Sequence, residues 1–400
     1  MNRFWSQPAC WLLAMALTGP GLACANDDPA GELKFERVVI DEDFSGAYQV
    51  EVADVNGDGK PDIVAVGGGI CAWYENPGWK KRVITGPDRT ADIITSVTAD
   101  LEGKGKPIVA IGHDFAMENP KRGKLLWAAA SAGGMGTWLT SPLGKIPSIH
   151  RLRAGDFDGD GRQELVVAPI FGAACHPPTE TADPAEVVLR RAPRGLVGPW
   201  TGEAVGRDQV LHAIDVLDLD GDGRDDLLTA GNSGVIWHKR EASGTWSSKV
   251  LVTGIAGTAP NRGASEVHVG KRAAGGRFLA TIEPWHGSKV VVYPGLEGGA
   301  PTQFKTPIVL DDTLDVGHAL WVADVDGDGT DEVFAGHRGK DARVSVYRFN
   351  GSDWTRTVID REITAQDLRG GDLNGDGTPD IVAVGGASHN VVWYRPIRGH

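Results

Sequence analysis

The sequence predicts an all-β fold, a seven-bladed β-propeller. Three observations carry that prediction. An acidic, glycine-spaced nonapeptide recurs along the chain. Short β-rich segments flank every copy. An N-terminal segment matches the one strand that the last unit lacks. The chain has 400 residues, 41% of them hydrophobic, with 55 glycines and 13 tryptophans. That suffices for a large core and is too apolar for a disordered chain.

The nonapeptide reads DVNGDGKPD at 54–62, DFDGDGRQE at 156–164, DLDGDGRDD at 218–226, DVDGDGTDE at 324–332 and DLNGDGTPD at 372–380. DLEGKGKP at 100–107 is a decayed copy, and 265–293 fits a unit whose acidic loop is lost. Seven units result. In each, a short apolar segment precedes the loop and a β-rich one follows (DIVAVGG, ELVVAP, DLLTAG). A third segment is aromatic and β-branched (VIWHK, VVVYP, VVWYR). A fourth often has the form W-x-x-x-V (WKKRVIT, WTRTVID). Four short strands between glycine-rich turns make a propeller blade. The seventh unit stops after its third strand, and KFERVVID at 34–41 has the fourth-strand pattern without a unit of its own. It is expected to complete the last blade and close the ring, which removes the exposed sheet edges of an open array. One domain therefore spans 26–400.

The loops present oxygen at positions 1, 3, 5, 7 and 9, the spacing of a calcium site, with the seventh residue giving its main-chain carbonyl. The expected ligands are Asp54, Asn56, Asp58, Lys60 and Asp62; Asp156, Asp158, Asp160, Arg162 and Glu164; Asp218, Asp220, Asp222, Arg224 and Asp226; Asp324, Asp326, Asp328, Thr330 and Glu332; and Asp372, Asn374, Asp376, Thr378 and Asp380. The loops are not EF-hands, because the last acid falls at position 9 and strands flank them. Five structural Ca²⁺ ions are expected, each pinning the hairpin between the first two strands of its blade. The formal charge of −13 argues against nucleic acid or an anionic membrane as partner.

Residues 1–25 read as an export signal. Arg3 is its positive end, CWLLAMAL its apolar core and ACA its cleavage site. The apolar stretch is too short for a stable membrane span. A lipid anchor at Cys24 is the alternative to cleavage. A periplasmic or extracellular location follows, where Cys71 and Cys175 either pair or remain buried thiols.

Calcium has little use for imidazole, so the histidines need another account. Six residues before the first loop carboxylate stand Tyr48, Ile94, His150, His212, His318 and Gln366. The loops between second and third strands add His113, His176, His286, His337 and His389. A blade's first strand lines the central channel. All eight histidines therefore map to the face opposite the calcium loops, the top face. Converging neutral imidazoles suit Zn²⁺ or a related divalent metal, and three of them leave a coordination position open. His150, His212 and His318 are the expected channel ligands, with Glu283, near His286, as general base. His176, Trp285, His337, Arg338 and His389 are the expected substrate contacts. Trp321 is expected to pack between blades. The insertion 170–185, stiffened by prolines, is expected to cover part of the top face and to bring Cys175 and His176 over it.

Over 35–395 the repeats resemble the FG-GAP family, whose propellers include the integrin α-subunit head. That family is functionally mixed, so its fold implies no single activity. SIHRLRAGDFDGDGRQELVVAPIFG, EPWHG and GHALWVADVDGDG further resemble the aldos-2-ulose dehydratase family, through blades three to six. In that family a metal-bearing propeller site eliminates water from keto sugars. The resemblance implies site roles for His150, His286 and His318, and for His212 and Glu283. The repeats leave no segment for the family's cupin portion, so the dehydratase half of its chemistry is the part expected here.

Two functions follow from different classes. One is an exported carbohydrate-active lyase acting by metal-assisted β-elimination. The other is a non-catalytic, calcium-bearing module that binds a glycan or a protein. A monomer with a carbohydrate or other small ligand on its top face suits either. The sequence has no Gly-x-Ser-x-Gly elbow and no His-Glu-x-x-His, which disfavours those hydrolase types.

Overall fold

The computed structural model describes residues 26–27, 33–131, 137–175 and 182–397. The export signal, the Cys24 anchor and His176 lie outside the described residues. Seven antiparallel four-stranded sheets follow one another along the chain. The first strands, which begin the blades in turn, are Ala47–Ala53, Thr95–Ala99, Ile149–Gly155, Ala213–Leu217, Glu266–Arg272, Gly317–Ala323 and Ala365–Gly371. Lys34–Asp41 is the outer strand of the seventh sheet and pairs antiparallel with Asn390–Ile397, Val38 opposite Trp393. The sequence did not suggest one further pairing: Asn26–Asp27 runs parallel to the outer strand of blade six. A turn at Ala273–Gly275 is the only helical element among the described residues. Among the described residues no helix is long and apolar enough to cross a membrane.

The core lies between blades. Strand alternation sends one face of each sheet toward each neighbour. At the junction of blades five and six, Phe278, Ile282, Leu320, Tyr347 and Trp354 bury together. At the next, Phe334, Leu368 and Tyr394 do so.

Three consecutive junctions share a polar clasp. A tyrosine near the end of a third strand donates to the aspartate that ends the preceding blade's fourth strand: Tyr347 to Asp311 (2.8 Å), Tyr394 to Asp360 (2.7 Å) and Tyr74 to Asp41 (2.6 Å). A cation from a fourth strand meets each carboxylate: Arg356 at 3.1 Å, Arg37 at 2.8 Å and Lys81 at 2.7 Å. Burial would raise the Asp311 carboxyl, but bonds from Thr313, Tyr347 and Arg356 outweigh it and hold the group at about 2.

Cys71 and Cys175 are both buried, in different core clusters, and no disulfide joins them to each other. Cys175 sits with Ile170, Phe171 and Val210 at the base of the insertion, against Trp285 and Phe115.

Candidate metal centre

The acidic loops repeat one geometry. In the sixth blade, Gly327 and Gly329 take φ of +79° and +84°, which glycine adopts without strain. Their N–H groups donate to the two oxygens of Asp324 at 2.7 and 3.0 Å. The ninth-position Glu332 turns back and accepts from the Val325 N–H at 3.0 Å. Asp62, Glu164, Asp226 and Asp380 make the same return bond at 3.0 to 3.1 Å. Burial, then the neighbouring loop aspartates, pushes Glu332 up to about 8 and Asp62, Asp226 and Asp380 to about 6. Carboxylates crowded and buried in this way suit a hard cation. In three loops, Asp156–Asp158–Glu164, Asp218–Asp220–Asp226 and Asp324–Asp326–Glu332, one oxygen from each residue lies within 4.8 Å of the others. Loops one and seven carry Asn56 and Asn374 at position 3. Their first aspartates hold the same glycine N–H groups, at 2.7 and 2.8 Å in loop one and at 2.8 Å for both in loop seven. The decayed loop of blade two replaces the fifth-position acid with Lys104, which pairs with Glu102 at 2.9 Å.

The opposite ends of the first strands are built differently. In blades one, three, six and seven the register slips by one residue beside Tyr48, His150, His318 and Gln366. Such a bulge re-aims a side chain, and here it accompanies the residue that meets its counterparts in the channel. His212 immediately precedes its strand and donates its N–H to the Ala230 carbonyl. His286 arrives from another direction, on the turn after Glu283, at φ +49°. Gly287 permits that turn, since a Cβ there would meet the Glu283 carbonyl oxygen at 2.1 Å. The Gly317 N–H donates to the Gly287 carbonyl at 2.9 Å and ties the turn to His318.

His212, His286 and His318 converge, with one ring nitrogen of each within 4.8 Å of the others. Tautomers follow from the bonds behind the rings. His318 Nδ1 stands 2.5 Å from the Gln366 carbonyl oxygen and His212 Nδ1 stands 3.0 Å from that of Ser265. A carbonyl only accepts, so both Nδ1 atoms carry the proton and both Nε2 atoms keep a lone pair. His212 Nε2 is buried without a hydrogen-bond partner. His286 Nε2 accepts from Arg338 at 3.4 Å. Burial, followed by the nearby guanidinium and imidazole charges, holds His150 and His318 well below the usual imidazole value and His286 at about 2. Burial also lowers His212, although Glu266 opposes the shift. Neutral imidazoles with inward lone pairs and one orphaned buried nitrogen fit a divalent metal.

His150 belongs beside this triad. Its ring lies 4.8 Å from that of His212. Its Nε2 accepts from Arg151 at 3.2 Å and lies 3.0 Å from the Tyr48 hydroxyl, which is also 3.3 Å from His318 Nε2. Arg338 is fixed by Gln366 at 2.7 Å. Trp285 lies along His286 and against Phe171, with ring centroids 4.7 and 5.9 Å away, so the insertion's base walls this side of the funnel.

Three expected contacts lie elsewhere. The Glu283 carboxylate turns into its own blade and accepts from Tyr293 at 2.7 Å and Thr281 at 2.9 Å, away from the histidines. His337 spends its ring nitrogens on the Asp315 backbone and on Arg343. His389 is exposed beside Gly46, at 3.4 Å. Trp321 packs on His268, with Arg369 over its ring.

The carboxylate that does reach the triad is Glu266. Its Oε1 lies 2.9 Å from His212 Nδ1 and 3.5 Å from the Arg151 guanidinium. Sequence reading missed it because blade five has no acidic loop from which to count back. The Ser265 N–H bond to the Ile282 carbonyl marks Ser265 as the counterpart of His212, and Glu266 follows it. Further along the first strands, Glu51, Arg153, Asp215, Asp367 and Arg369 form a network of interacting charges. Arg369 pairs with Asp367 at 3.0 Å, and Asp215 meets His268 at 3.2 Å.

Comparison with known proteins bears on both ends of the strands. Residues 122–295 match the family model for the aldos-2-ulose dehydratase β-propeller domain, and 324–383 match that for an FG-GAP-like repeat. Over these residues the propeller is similar to the aldos-2-ulose dehydratase β-propeller domain and to an FG-GAP-like repeat. The Phanerodontia chrysosporium aldos-2-ulose dehydratase is 28% identical over 243 residues, 55% of this chain and 26% of that protein. The chain thus spans about a quarter of its relative's length. His150, His212 and His286 fall within the dehydratase match, whereas Tyr48, His318 and Arg338 fall outside it. Solved structures share the fold at low identity. An Agrocybe aegerita lectin recognising terminal N-acetylglucosamine has a TM-score of 0.51 at 16% identity, covering 89% of this chain and 87% of its own. A chain of a BBS1N–ARL6DN complex reaches 0.55 at 14%, covering 92% and 97%. A chain of the mitotic checkpoint complex reaches 0.58 at 11%, covering 98% and 99%.

Proposed function

We propose that this propeller is an exported carbohydrate-active lyase that eliminates water, or a β-glycosyl group, from keto sugars. The observation that carries the reading is the convergence of His212, His286 and His318, with two tautomers fixed from behind. A divalent ion such as Zn²⁺ in this set would supply Lewis acidity toward a substrate carbonyl and an open coordination position.

The chain's own residues perform the rest. Arg338, held by Gln366 at 2.7 Å, offers a guanidinium to oxygen that gains negative charge as the α C–H bond breaks. The neutral His150, paired with Tyr48 at 3.0 Å, takes the α-proton through the tyrosine hydroxyl. That proton leaves with the β-hydroxyl as water. The step balances without an oxidant or reductant. Trp285 and the base of the insertion limit water on one side.

The acidic loops are proposed to hold about five Ca²⁺ ions as scaffold, and residues 1–25 to direct export. The decisive measurement pairs turnover with elemental analysis of the calcium-loaded protein. Enone absorbance should grow with 1,5-anhydrofructose or a 3-keto glycoside when zinc is present. Calcium alone in the protein, and no turnover across that panel, would reject the lyase in favour of a binding module.

A further inference from the structure

The triad sits in an environment hostile to a cation. Arg338 Nη2 is 3.4 Å from His286 Nε2, and Arg151 stands 3.2 Å from His150 Nε2. Two guanidiniums thus face this group of four neutral imidazoles, one at His286 and one at the neighbouring His150. Adding a doubly charged ion would place like charges together in a buried site, where they are poorly screened. Glu266 is the carboxylate at this depth that touches the group. It is 3% exposed, comes from the blade that lost its acidic loop, and stands between His212 and Arg151. His212 Nδ1 has a second anchor in the Ser265 carbonyl. Orientation is thereby provided for by the backbone, and the carboxylate adds charge and ligand basicity.

From this geometry we infer that Glu266 is a positioning residue of the centre. It raises the basicity of the His212 Nε2 lone pair, offsets the two guanidiniums, and so sets the affinity for a divalent cation. This rests on the metal-binding reading of His212, His286 and His318.

The test uses the whole calcium-loaded chain and Zn²⁺ alone, titrated against a competing chelator. Wild type should bind one zinc at the triad. Glu266→Gln, similar in shape but uncharged, should bind it 10- to 100-fold more weakly, about the range for lost outer partners of metal ligands. Its circular dichroism should match wild type. An affinity within about twofold of wild type would overturn the role of Glu266 and leave the metal-binding reading standing. A wild type that takes up no zinc would sink both. Should Glu266→Gln fail to fold, the wild type decides by nitrogen-15 NMR of labelled histidine. His212 protonated on Nδ1 is expected, and an Nε2–H tautomer overturns the inference.

Discussion

Each first strand joins two ends that obey different rules. At one end five acidic loops repeat the same bonds, Asp324 to the glycine N–H groups and Glu332 back to Val325. At the other, the residue in one structural position is tyrosine, isoleucine, histidine, histidine, serine, histidine or glutamine in turn. The loop end makes five of the seven blades alike, and the other end differs from blade to blade. Repetition marks a shared scaffold element, and variation marks where unlike residues from several blades are brought together.

Removing calcium should separate the two ends most strongly. At a hundredfold excess over Kd each bound ion adds about 2.7 kcal/mol, so five ions should shift Tm by roughly 10 °C or more. Calorimetry with EGTA, then with calcium restored, reads this. A Tm indifferent to chelation would end the scaffold interpretation of the loops.

His318→Ala should do the reverse. It removes a triad nitrogen and the partner of the Gln366 carbonyl. Turnover on the keto-sugar panel should fall by at least about a hundredfold. Zinc should be lost from elemental analysis while the calcium content stays near that of wild type. Loss of calcium in this variant would show that the two ends are not independent.

The loop end was legible because a nine-residue motif with glycine at fixed places is specific and was present five times. The blade count, the Lys34–Asp41 pairing and the top-face position of His150, His212, His286 and His318 followed from it. What escaped was whatever depended on side-chain direction. Glu283 is three residues from His286, yet strand alternation and the Tyr293 hydroxyl turn it into the blade. Glu266 lay in a unit with no motif to set the register. His337 stood where a funnel residue was expected, but Arg343 claims its ring at 3.0 Å. The clasps were invisible because each joins strands from neighbouring blades, as Tyr347 and Asp311 do across 36 residues.

Those clasps belong to neither end of the first strands and give an effect of intermediate size. Asp311 is held at about 2, against an ordinary value of 3.8. A depressed carboxyl stabilises the fold above its unfolded value and loses that contribution as pH falls from 3.8 through 2. The difference corresponds to about 2 kcal/mol. Asp311→Asn should cost about that much at neutral pH and flatten the dependence of stability on pH between 4 and 2, as measured by urea unfolding. An unchanged acid limb would mean that Arg356 and Tyr347 do not favour the charged form.

The smallest expected effect is the one that most sharpens the site. Glu283→Gln keeps an oxygen for Tyr293 and Thr281 and removes only the charge, which burial already disfavours by raising the carboxyl above its usual range. Stability should fall by about 1 kcal/mol, the worth of one hydrogen bond whose geometry is disturbed. Steady-state turnover should stay within about threefold of wild type, because nothing in the triad touches this group. A general base would behave otherwise, losing on the order of 10² to 10⁴ in rate. If Glu283→Gln shows that larger loss while its zinc affinity and Tm hold, proton transfer belongs to the turn that carries His286. The Tyr48–His150 pair would then serve only to brace the ring.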